Sequence, residues 1–207
     1  MARPPADEPP SVDRLAAFSD GVFAIAITLL ILPLTEAQVR DTHVLEDLLA
    51  LEPQFLALVL SFAVIGRFWL LHHDDLRVMT GATSRVLVAN LVFLFFVVVL
   101  PFPTALLGDG DSATATIIYA LAIIGTSLSS LGVWLAAEHD GVIPPEVHET
   151  TGRLKYYGTA GVVLGFVPSL PLAFVNEDWA RYSWLLAIPF SWIAGRLEMR
   201  RRPAHAS

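Results

Sequence analysis

Asp20 is the first residue whose chemistry needs explaining. It stands in RLAAFSDGVFAIAITLLILPL, Arg14 to Leu34, a segment otherwise apolar enough to cross a bilayer. A carboxylate within such a segment is expensive, so it is normally partnered and functional. Ser19, Arg67, Trp69, His72, His73 and Asn90 are further polar groups inside apolar stretches, and Asp74 and Asp75 follow the histidine pair. Three kinds of chemistry come into question: metal ligation, proton relay, and a hydrogen-bonded lock between helices. His72, His73, Asp74 and Asp75 resemble a ligand set, but neighbours on a helix diverge by about 100°, and the i,i+3 or i,i+4 spacing is met only by mixed partners. A metal site is therefore not expected. Asp20 with His72 or His73 has the residue types of a proton relay. The chain lacks cysteine, a Ser-His-Asp spacing and a phosphate-cradling loop, so neither an enzyme nor a cofactor is expected.

The surroundings of these groups place them in a membrane. The 207 residues are 55% hydrophobic and 16% charged, with a mean hydropathy of +0.60, far more apolar than a soluble domain requires. A spanning helix takes roughly 20 apolar residues, and six stretches qualify, at about 15–34, 53–73, 85–107, 113–137, 154–175 and 179–197. Runs such as LVFLFFVVVL show none of the alternation of a membrane barrel strand. The expected fold is an all-α membrane protein with six transmembrane helices in one domain, residues 14–198. The Pro-rich acidic residues 1–13 are expected to form a disordered cytoplasmic tail, and residues 199–207 a basic one.

Basic residues set the orientation. Arg3, Arg14, Arg77, Arg85, Arg153, Lys155, Arg196, Arg200, Arg201 and Arg202 fall at one set of span ends, and Arg40 and Arg181 at the other. Both termini are therefore expected in the cytoplasm, in a multi-pass protein of the plasma membrane. The opposite loops carry Glu36, Asp41, Glu46, Asp47, Glu52, Asp109, Asp111, Glu177 and Asp178, so most of the formal charge of −7 belongs to the outer face. Such a face concentrates cations, though acids in outer loops also serve simply to keep those loops solvated. Within the loop from Pro33 to Gln54, Val44, Leu45, Leu48 and Leu49 share one side of a short interfacial helix. PFPT, Pro101 to Thr104, is expected to bend or end the third span. Gly158, Gly161 and Gly165 permit close helix contact in the fifth.

Depth and helical phase then relate the polar groups to one another. At 1.5 Å per residue, Ser19, Asp20, Arg67, Trp69, His72, His73 and Asn90 all lie within about two to three turns of the cytoplasmic boundary. On a wheel centred on Ile25, Phe18, Gly21, Val22, Thr28, Leu29 and Leu32 fall within about 60°, whereas Ser19 and Asp20 lie about 120° and 140° away on opposite flanks. Asp20 is therefore expected to point toward neighbouring helices and hold the first helix against them.

The motif R-x-x-x-F-S-D, Arg14 with Phe18, Ser19 and Asp20, followed by GVFAIAITLLIL, resembles the bacterial branch of the lysosomal potassium channel family, transmembrane protein 175. FWLLHH in the second span and NLVFLFF with PFPT in the third are similar to it as well. The resemblance is carried by the first half of the chain, with helix count and placement alone beyond about residue 110.

It implies a potassium-permeable cation channel built as a homotetramer of six-helix subunits, each first helix lining a central pore. Ile25 takes the place of the family's bulky constriction, Thr28 that of a pore threonine, and Leu32 that of another apolar ring, with Leu29 beside them. The resemblance also assigns Phe18, Ser19 and Asp20 to an interhelical network with Trp69, His72, His73 and Asn90; Arg67 joins the cluster without a family counterpart, and Arg14 marks its inner end. No TVGYG filter occurs. The implied partners are other copies of the chain, the lipid bilayer and monovalent cations with K+ permeating, and no nucleic acid. The alternative is a proton-coupled secondary transporter using Asp20 and His72 or His73.

Overall fold

A computed structural model describes residues 11–37, 40–110 and 112–186. Its elements are α1 (Val12–Leu29), α2 (Leu32–Thr35), α3 (Val44–Ala50), α4 (Glu52–Val78), α5 (Ser84–Val99), α6 (Pro101–Gly108), α7 (Ala113–His139), α8 (Pro145–Val147), α9 (Arg153–Phe166), α10 (Ser169–Leu172) and α11 (Glu177–Ser183). A π-helical turn, His148–Gly152, joins α8 to α9, and a 3₁₀ turn, Trp184–Leu186, follows α11. The described residues contain helices and no strand.

Among the described residues, four stretches are long and apolar enough to cross a membrane: Val12–Thr35, Glu52–Val78, Ser84–Gly108 and Ala113–His139. They coincide with the first four expected spans, with α4 running five residues past the expected end at 73 and taking Asp74 and Asp75 into the helix. The fifth expected stretch is broken into α9 and α10 around Val167 and Pro168, because Pro168 has no N–H to continue the ladder. The expected sixth span, 179–197, runs beyond residue 186, and the tails at 1–10 and 199–207 likewise lie outside the described residues.

Local sequence explains the joints. Thr83 caps α5 by accepting from the Val86 N–H at 3.3 Å, and Asn176 caps α11 by accepting from the Trp179 N–H at 3.0 Å. Pro101 opens α6 directly after α5, so the third span bends there and continues. After α7, Gly141 adopts φ +67°, Val142 N–H returns to the Ala137 carbonyl and Gly141 N–H to that of Glu138. That is the Schellman arrangement, for which glycine pays no Cβ penalty. At Gly125 of α7 the Phe96 ring of α5 fills the place a Cβ would occupy, which lets these two helices pack closely.

The core is formed by α1, α4, α5 and α7, with Phe23, Ile65, Val86, Phe93, Val97, Tyr119, Ala120 and Trp134 almost fully buried. Polar clamps join the helices at two levels. Toward one end, Thr104 donates within 2.8 Å of Ser61, whose hydroxyl lies 3.1 Å from that of Tyr119, tying α6, α4 and α7. Toward the other end, Asp75 of α4 pairs with Lys155 of α9, both nearly enclosed. Glu138 accepts from Trp134 Nε1 at 2.5 Å and Tyr156 at 3.0 Å and meets His148 Nδ1 at 3.1 Å. Asp140 accepts from Thr83 at 2.5 Å and pairs with Arg85.

Two outcomes follow. Lys155→Met should strand the Asp75 carboxylate and cost about 3–5 kcal/mol, while the double change Lys155→Met with Asp75→Leu should recover most of it; thermal unfolding of the detergent-solubilised protein reads both. Asp140 lies outside the long helices, and the Thr83 hydroxyl first, then His139 and Arg85, hold its carboxyl below the ordinary value near 3.8. A depressed folded pKa gives stability that is present above the ordinary value and lost as pH falls through the folded one. Wild-type melting should therefore fall more steeply with acidification below about pH 4 than that of Asp140→Asn, and parallel curves would remove this link.

Candidate functional site

The site begins with the two faces of α1. Leu15, Ser19, Phe23, Ala26 and Leu30 are buried against α4 and α5. The opposite face carries Thr28, Ile25 at 61% exposure and Leu29 at 37%, continued by Leu32 of α2 at 46%, and among the described residues it is left exposed. Phe18 is exposed on the flank of this face, and Arg14 is exposed one turn before it. An apolar outward face is ordinary for a bilayer helix. The hydroxyl within it is more informative: Thr28 donates to the Ile25 carbonyl at 2.8 Å, so its proton is used along the helix and its lone pairs remain for the exposed side.

Two hydrogen bonds at one depth fix how α1 is rotated. Ser19, 1% exposed, donates to the Leu15 carbonyl at 2.9 Å and accepts from Asn90 Nδ2 at 3.2 Å. Asp20 accepts from Trp69 Nε1 at 2.8 Å. The adjacent residues of the motif thus bond to different helices, Ser19 to α5 and Asp20 to α4, as their positions on opposite flanks require.

The structure departs from the sequence reading at four residues. Asp20 was expected to point toward the neighbouring helices and hold α1 against them; it does bond to Trp69 of α4, a named partner, but it is exposed on the seam between α1 and α4 instead of enclosed by them. A wheel gives phase but not the distance to the next helix, and the tryptophan's length lets it meet Asp20 at that edge. His72 was expected to be a hydrogen-bonding partner. It is 2% exposed with neither ring nitrogen bonded, and packs against Phe23 and Phe93 at ring distances of 6.0 and 4.8 Å. Its role here is that of a core aromatic. His73 lies with its ring 5.8 Å from that of Trp69, and among the described residues it makes no hydrogen bond to Asp20. Arg67 is exposed on α4, and among the described residues it makes no hydrogen bond or ion pair.

Sequence reasoning missed the Asp75 and Lys155 pair and the hub at Glu138. Lys155 is the chain's single lysine, which was a signal, but only the fold brings α9 to α4. At the far end of α2 a cleft of about 460 Å³ is lined by Pro33, Glu36, Asp47, Gln54 and Asp109 among others. Asp47 there is engaged by Arg40 through Nη2 at 2.6 Å and Nε at 3.0 Å, which holds its carboxyl below the usual range. Among the described residues no group of histidines and acids has the arrangement of a metal site.

Comparison with known proteins bears on this geometry. A family model described as the endosomal/lysosomal potassium channel TMEM175 matches residues 14–101, the stretch that contains the exposed face of α1 and both of its anchoring partners. A potassium channel from Streptomyces collinus is 34% identical over 170 residues, covering 79% of this chain and 82% of that one. The human endosomal/lysosomal proton channel TMEM175 is 40% identical over 103 residues, covering 45% of this chain and 20% of that one. The crystal structure of a lysosomal potassium-selective channel TMEM175 homolog from Chamaesiphon minutus superposes with a TM-score of 0.71 at 29% identity, over 88% of this chain and 97% of that one. These relatives are ion channels and not enzymes. By its motif, its fold and relatives of similar length, the chain belongs to the TMEM175 family.

Proposed function

We propose that this chain is a potassium-permeable cation channel of the plasma membrane, assembled as a homotetramer of six-helix subunits with both termini in the cytoplasm. Four copies of α1 surround the axis with Ile25, Thr28, Leu29 and Leu32 toward it. Rings of Ile25 and Leu32 make a narrow apolar bore that gates by dewetting or close fit, and the Thr28 ring offers oxygen lone pairs to a partly dehydrated ion. Acids such as Glu36 and Asp109 at the outer end raise the local cation concentration. The observation that carries this reading is the exposed face of α1, with Thr28 turned so that its oxygen is free on that side.

The proton-coupled transporter has less support. Its histidine would be His72 or His73, yet His72 is sealed among phenylalanines, His73 meets the Trp69 ring, and among the described residues neither is hydrogen-bonded to Asp20, which is bonded to Trp69.

In this arrangement the Asp20 seam is covered in the assembly, so its carboxylate works as an anchor rather than a ligand of the permeant ion. Replacing Ile25 by Asn should wet the bore, raising current in reconstituted bilayers and weakening the preference for potassium over sodium in the reversal potential. An unchanged conductance and reversal potential would move the pore elsewhere. Trp69→Phe removes the donor to Asp20, at a cost of about 1.5–3 kcal/mol for a bond to a charged group. It should lower the yield of assembled protein on size-exclusion chromatography while leaving ion preference intact; intact assembly with altered preference would instead place Asp20 in the ion path.

A further inference from the structure

The exposed face of α1 does not end at Leu32. Thr35 in α2 is exposed, and its hydroxyl donates to the Leu32 carbonyl at 2.8 Å, as that of Thr28 donates to the Ile25 carbonyl at 2.8 Å. The two bonds are the same i to i−3 contact at the same length, seven residues apart. In each, an aliphatic residue is followed three positions later by a threonine whose proton is tied to the backbone. Each hydroxyl therefore has lone pairs but no free hydrogen to present, the polarity that suits a cation and not an anion.

Phase places the second threonine with the first. Seven residues at 100° bring Thr35 to within about 20° of Thr28 on an ideal helix. The backbone between them tightens: Leu30 N–H returns to the Ile27 carbonyl at 3.3 Å and Ile31 N–H to that of Thr28 at 3.5 Å, both i to i−3 bonds. A 3₁₀ turn advances about 120° per residue, which offsets the shortfall and keeps Thr35 on the face of Thr28. Pro33 adds a second source of oxygen. It has no N–H to give to the Leu29 carbonyl four residues back, and a helix carbonyl points toward the helix C-terminus, here toward Thr35.

We infer that Thr35 forms a second ring of cation ligands, binding a partly dehydrated alkali-metal cation between the Leu32 ring and the outer mouth, with the Leu29 carbonyl available below it. This rests on the proposal that α1 lines the pore. The result is two oxygen belts separated by an apolar one, so that an ion leaving one belt crosses about two turns, roughly 10 Å, before the next receives it. Multi-site occupancy of this kind permits exit as well as entry. Glu36, exposed one residue further on, adds negative potential at the mouth without taking part in the ring.

The test uses the full-length chain in planar bilayers, with conductance measured as a function of potassium concentration. Thr35→Val keeps the shape and removes the oxygen; it should raise the half-saturating potassium concentration about threefold or more, while Thr35→Ser restores the wild-type curve. Ile25→Ala run in parallel separates this proposal from the pore assignment. If Ile25→Ala changes conductance or selectivity and the Thr35→Val curve overlays wild type, the pore stands and the Thr35 site is overturned. If neither substitution has an effect, both proposals fall. The chain has no cysteine, so Thr35→Cys gives a second readout that does not depend on the valine variant assembling. A cationic methanethiosulfonate added from outside should block current, and raising potassium should slow the block severalfold. Block at a rate indifferent to potassium, or no modification, overturns the site.

Discussion

The rotation of α1 about its own axis is the constraint on which the site depends. In a bilayer, apolar surface gains little by facing another helix rather than lipid, so greasy side chains alone do not decide which face of a helix turns inward. Directional bonds do. Ser19 to Asn90 and Asp20 to Trp69 bind adjacent residues of α1 to two different helices at one depth. Two such bonds on opposite flanks leave one rotation in which both are satisfied. That rotation puts Ile25, Thr28, Leu29 and Leu32 outside the protomer's own core. The polar motif thus sets the direction in which the apolar stripe faces.

Phe23 and His72 fill the space between those bonds. With Phe93 they form an aromatic layer at the junction of α1, α4 and α5. The His72 imidazole there serves as a flat ring of the right size. Its unbonded nitrogens carry a desolvation cost that the packing must offset.

At the end of the bundle where α4 and α7 finish, the scaffold is held by charge. Asp75 with Lys155, the Glu138 hub and the group around Asp140 each join segments distant in sequence, and each sits where a helix ends or a turn begins. The opposite half instead uses neutral hydroxyls, in the chain Thr104, Ser61 and Tyr119. The division follows solvation: ion pairs are tolerated near water, whereas uncharged hydrogen bonds cost less to bury at depth.

The sequence by itself determined the membrane class, the first four spans, the motif at Phe18 to Asp20, and the phase of the stripe from Ile25 to Leu32. Hydropathy and the 100° step are local quantities, and a bilayer enforces both. It also placed Ser19 and Asp20 on opposite flanks, which is why they reach different partners. Only the tertiary structure decided which polar groups meet. Trp69, and neither histidine, reaches Asp20, because the tryptophan side chain spans the seam while His72 turns into the phenylalanine layer. Lys155 finds Asp75 because α9 packs along α7 and brings the lysine within reach of α4, a contact between positions 80 residues apart in number that no local pattern encodes. The matched bonds of Thr28 and Thr35 lay outside a reading by spacing for a further reason. Whether a hydroxyl gives its proton to its own helix or to a neighbour depends on rotamer and surroundings, and those exist only once the chain is folded.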